Sequence, residues 1–141
     1  NLLLSASILL TCSIYPTFAH NIKPDGDVGA TFHIEPNHNP RAGESSRAWF
    51  VLTLKGGQQI PLAECNCQLK VYPQSSKQKN VKVLNPPLKA VSPEQYQGIP
   101  GADIIFPSAE IYKLEISGTP KAGDSFKSFK LNYTVTVIPG S

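Results

Sequence analysis

The chain contains no methionine, a single tryptophan and no Asp, Glu, Lys or Arg before Lys23, and its 13 basic and 10 acidic residues leave a formal net charge of only +3. So even a balance cannot build the concentrated positive field that nucleic acid requires, and nucleic acid is excluded as the expected partner. Catalytic signatures are missing as well. There is no Gly-x-Ser-x-Gly elbow, no His-Glu-x-x-His and no phosphate-cradling glycine loop, and the acidic residues are scattered singly, so no enzyme is expected. Stretches free of helix breakers are scarce too, because 13 prolines and 10 glycines are spread over 141 residues. Long helices are therefore not expected; short strands joined by many turns are. At 40% hydrophobic residues the chain still carries enough apolar material for the core of one domain.

The charge-free opening, Asn1 to Ala19, is apolar but too short, and too interrupted at Pro16, for a comfortable membrane span, and it ends on the small residue Ala19. This pattern reads as a secretory signal peptide. Residues 1–19 are expected to be removed, leaving residues 20–141 as one extracytoplasmic domain that starts at His20, in a periplasm, a thylakoid lumen or the extracellular space. The usual basic residues of such a segment are absent, as expected if the sequence begins inside it. A retained anchor helix and a lipidated Cys12 are the alternatives, the second disfavoured by the bulky Thr11 before it.

Beyond residue 20 the pattern is that of strands. Val28 to Glu35 alternates, with Ala30, Phe32 and Ile34 on one face and Thr31 and His33 on the other. Ala48 to Leu54 is continuously apolar, as in a strand covered on both sides. Lys55-Gly56-Gly57-Gln58 reads as a hairpin turn leading to a strand in which Cys65, Cys67, Leu69 and Val71 share a face. Weaker strands are expected at Val81 to Leu84 and Asp103 to Phe106, and well-alternating ones at Ile111 to Ser117 and Phe129 to Ile138. The proline-rich stretch Asn85 to Gly101 is expected to cross between sheets. About seven short strands with turn signals between them are the pattern of an all-β, immunoglobulin-like β-sandwich.

Ala30-Thr31-Phe32-His33-Ile34-Glu35-Pro36, the turn Asn39-Pro40-Arg41-Ala42-Gly43-Glu44 and the apolar strand Trp49 to Leu54 resemble the opening of the small secreted YtkA-like domains, relatives of the CopC-type copper-binding sandwiches. The closing segment, Ile111 to Ile116 and Phe129 to Val135, is similar to the last two strands of that family. The resemblance spans Val28 to Val137 and implies a sandwich fold. It also implies copper held by an N-terminal His together with a second His. The Met-rich copper(I) site of some relatives has no counterpart in a chain without Met.

Three histidines carry that possibility. His20 at a new N-terminus would offer an α-amine and an imidazole in chelating position, a pair suited to Cu(II). His33 lies on the outward face of its strand and His38 follows five residues later, so the three can converge if the N-terminal segment folds back along that strand. The plainer alternative makes His33 and His38 exposed polar residues. Cys65 and Cys67 project to one face with Cα atoms about 6.6 Å apart in an extended strand, near the upper limit for a disulfide, so bonding requires a local kink. Three readings stay open for them: a tight disulfide, two buried thiols, or a soft-metal or redox pair. With no other Cys past residue 19, the inter-sheet disulfide of antibody domains is excluded.

Two functions of different class follow. The first is an extracytoplasmic copper-binding protein, carrier or buffer, with His20, His33 and His38 as metal ligands and Cys65 and Cys67 as further candidates. The second is an accessory module without metal that docks on a membrane complex or a secreted partner. Lys77, Lys79, Lys82 and Lys89 read as a solvated edge, or as a docking patch for an acidic partner under the second function.

Overall fold

The computed structural model describes residues 23–74 and 82–141. The segment 1–19, His20, Lys77, Lys79 and Val81 lie outside the described residues. Eight strands are present among the described residues: β1 Lys23–Asp25, β2 Val28–Ile34, β3 Ser45–Leu54, β4 Cys65–Pro73, β5 Lys89–Val91, β6 Ile99–Ile105, β7 Ile111–Pro120 and β8 Phe129–Thr136. They form two antiparallel sheets, a five-stranded one in the order β1-β2-β3-β6-β5 and a three-stranded one in the order β4-β7-β8. This is the expected β-sandwich, with a single turn of 3-10 helix at Leu62–Glu64.

Period-two alternation builds the core. Val28, Ala30 and Ile34 of β2, with Ala48, Phe50 and Leu52 of β3, face Leu69 and Val71 of β4, Tyr112, Leu114 and Ile116 of β7, and Phe129, Leu131, Tyr133 and Val135 of β8. The intervening residues of β8, Lys130, Asn132, Thr134 and Thr136, are exposed. In β3 both faces are covered: Trp49 and Val51 leave the main core and pack outside the five-stranded sheet with Val91, Ile99 and the partly buried Tyr96. That second, smaller cluster explains the unbroken apolar run of this strand, since a strand buried on both faces has no solvent side to alternate with.

Three expectations are corrected. Lys55-Gly56-Gly57-Gln58 does turn the chain, with Gly56 and Gly57 at φ of 113° and 97°, values that favour glycine. Its return arm, however, pairs with β3 only through Gln58, Gln59 and Ile60 before the chain leaves for the other sheet, so β3 and β4 are not hairpin partners. The strand expected at Val81 to Leu84 is reduced, among its described residues, to one bridge between Leu84 and Val71. Asn85 to Gly101 passes from the three-stranded to the five-stranded sheet as expected, but it also contains β5 and the start of β6.

Candidate functional site

β2 ends in a tight turn that decides where His38 goes. The Glu35–Pro36 peptide is cis, Asn37 and His38 have φ of 49° and 59°, and the His38 amide donates to the Ile34 carbonyl at 2.9 Å while that of Asn39 donates to the Pro36 carbonyl at 2.8 Å. Asn and His are among the non-glycine residues that visit this left-handed region more often than most. The turn folds His38 back on its own strand, where its ring stands edge-on to His33 with centroids 4.5 Å apart. His33 in turn stacks on Trp49, its register partner across the β2–β3 ladder, at 4.1 Å. Trp49 is nearly buried and also lies under the Arg47 guanidinium, 5.2 Å from the ring centroid. Arg47 Nη2 donates to Glu35 Oε1 at 3.4 Å. A cavity of about 80 Å³ beside His33 is lined by Thr31, Trp49, Val51, Glu94 and Tyr96.

The outer face of β2 and β3 thus carries two imidazoles in contact, one of them held flat against an indole. His33 is accordingly not a simple exposed polar residue. Among the described residues no three His, Cys, Asp or Glu side chains gather closely enough to hold a metal ion, so the site consists of the His33–His38 pair. His20, the third expected ligand, lies outside the described residues. The sequence assigns no role to Trp49 or Tyr96 beside His33; the apolar run through Ala48 to Leu54 is the only trace of Trp49, since nothing local says that an outward tryptophan will sit opposite His33.

Cys65 and Cys67 are bonded to each other, the first of the three readings left open. Their Cα atoms are 5.2 Å apart, so β4 contracts locally from the extended spacing of about 6.6 Å. As a disulfide neither sulfur is a thiolate, and ligation of a soft metal by this pair would first require reduction. The bond has a fitted seat: Cys67 pairs with Gly118 of β7, where a Cβ would come within 2.6 Å of Cys65 Sγ and 2.8 Å of the Phe129 ring. Cys65 is 2% exposed and Cys67 is half-buried against the core. A loop this short constrains the unfolded chain little, roughly 1.5 kcal/mol on the chain-entropy relation.

No protein-family model and no curated protein matches the chain. Solved structures do. A DUF4426 family protein from Pseudomonas aeruginosa PAO1 superposes with a TM-score of 0.61 at 15% identity, covering 86% of this chain and 99% of its own. FetP of uropathogenic E. coli strain F11, expressed in the periplasm of E. coli, superposes with a TM-score of 0.59 at 11% identity, covering 87% and 96%. At such identities the likeness is one of fold.

Proposed function

We propose that the protein is an extracytoplasmic copper-binding β-sandwich, a carrier or buffer, whose site is built around His33 and His38 and completed by His20. The observation that carries this reading is the contact of the two imidazoles at 4.5 Å on one outer face, with His33 held by Trp49. Two neutral imidazoles suit Cu(II), which heads the divalent affinity order for nitrogen donors. His20 is included from the sequence, as the residue that would open the chain after Ala19 with both an α-amine and an imidazole. The resemblance to CopC-type domains, which begin with a copper-binding His, points the same way.

The compartment follows from three supports: the apolar segment ending at Ala19, a disulfide of the kind that persists in oxidising surroundings, and a fold neighbour that was expressed in a periplasm. Among the described residues no helix is long and apolar enough to cross a membrane.

Calorimetric titration with Cu(II) of the chain beginning at His20 tests the reading. One bound ion is expected, with His33→Ala and His38→Ala each weakening affinity at least tenfold, and one residue added before His20 weakening it more than His38→Ala does. Affinity should also fall with pH, because protons compete for the same nitrogens. If the His33→Ala, His38→Ala double variant binds copper as the unmodified chain does, the site is wrong. If no binding is found at all, the accessory-module function takes its place.

A further inference from the structure

The Cys65–Cys67 bond connects two residues that the sheet already holds. Cys65 and Cys67 are registered against Pro120 and Gly118 of β7, and two residues further along Leu69 and Val71 anchor the same strand in the core. A cross-link between such close neighbours ties no distant parts of the chain together, so architecture does not account for it. Two other features do suggest a use. The sulfurs differ in access, Cys65 being 2% exposed while Cys67 is half-buried. And the cross-strand position that would crowd them is glycine, so the Cys65 sulfur rests over Gly118 and beside the Phe129 ring. One accessible and one sheltered sulfur, set on a frame that does not depend on their bond, is the arrangement a reversible dithiol needs.

We propose that Cys65 and Cys67 form a thiol–disulfide exchange site that accepts two electrons from a dithiol on an extracytoplasmic protein. The partner's thiolate attacks Cys67 Sγ, the more accessible sulfur. A mixed disulfide forms, the Cys65–Cys67 bond breaks, and Cys65 departs with the electron pair and takes up a proton. The partner's second thiol, deprotonated, then attacks its own sulfur in the mixed disulfide and closes the partner's disulfide, releasing Cys67, which takes the second proton. The partner is oxidised, the two cysteines are reduced, and two protons move from the partner's thiols to Cys65 and Cys67. The reverse sequence restores the bond. This site lies on β4 of the three-stranded sheet, whereas His33 lies on β2 of the five-stranded sheet, and it does not rest on the copper reading.

The test uses the full chain in a Cys12→Ser background, so that only these two sulfurs report. Native protein is incubated with reduced dithiothreitol, trapped by alkylation and weighed. Two added groups are expected without denaturant, with the β-sheet circular dichroism unchanged, the melting temperature moved by a few degrees only, and full reoxidation by glutathione disulfide. The single variant Cys65→Ser, which leaves Cys67, should form a mixed disulfide with glutathione disulfide at least tenfold faster than Cys67→Ser, which leaves Cys65. A bond that opens only in denaturant, a sheet signal that collapses on reduction, or equal rates for the two single variants would each overturn the proposal.

Discussion

Tyr133 shows how one side chain can tie the two sheets together and give the fold a pH limit. Its hydroxyl donates to the Ala30 carbonyl at 3.0 Å, from β8 across to β2, and burial pushes its pKa up to about 12. The neutral hydroxyl is thus favoured by folding. Its contribution is fully present below the ordinary tyrosine value of about 10 and is lost as pH rises from there through about 12. A rise of that size corresponds to about 3 kcal/mol. Urea unfolding between pH 9 and 12 should therefore show a steeper loss for the unmodified protein than for Tyr133→Phe, which at neutral pH gives up only the hydrogen bond, about 1 kcal/mol. Parallel curves would refute the assignment. Tyr112 plays a more local part: its fully buried ring sends the hydroxyl to the Ser108 carbonyl at 3.1 Å, four residues upstream, and so holds the turn that enters β7.

At the scale of the element, β3 is the keel of the molecule, because Phe50 and Leu52 enter the main core while Trp49 and Val51 serve the outer cluster. Phe50 is completely buried and packs on Phe32 with centroids 5.1 Å apart. Phe50→Ala should cost about 3–5 kcal/mol, the transfer and cavity cost of removing a buried ring, read as a lower urea midpoint with an unchanged slope. A loss below 1 kcal/mol would mean that the strand is not central. Elements also show the limit of pattern reading. β8 was legible residue by residue, since eight residues with one solvent face display period two clearly. β1 and β5 were not, because three residues cannot display a period, and their strand character comes from pairing with β2 and β6.

For the whole molecule, the seam between β1 and β8 matters most. Asp25 Oδ2 accepts the Lys130 amide at 2.8 Å and Asp27 Oδ1 accepts the Lys127 amide at 3.1 Å, so two carboxylates of the five-stranded sheet's edge hold the chain entering and beginning β8. Asp25→Ala should lower stability by about 1 kcal/mol and speed hydrogen exchange at the Lys130 amide well beyond that at Leu114, in the middle of its sheet. Equal acceleration at both positions would instead indicate general loosening. Across the molecule Leu84 and Leu88 pack against the core as the chain crosses between sheets.

What the residues alone determined is the list of faces: which side chains of β2, β4, β7 and β8 point inward, that β3 is covered on both sides, that the architecture is a sandwich, and that Cys65 and Cys67 lie on one side of one strand. Those follow from a two-residue period, or in β3 from an unbroken apolar run, which each segment carries within itself. Only the tertiary structure decided that β3 and β4 belong to different sheets, that a turn at Pro36 to Asn39 lays His38 against His33, that Trp49 lies beneath His33, and that Gly118 makes room for a disulfide. Each of these depends on which segment becomes the neighbour of which, and that choice is made by packing between residues far apart in the chain, beyond the reach of any local period.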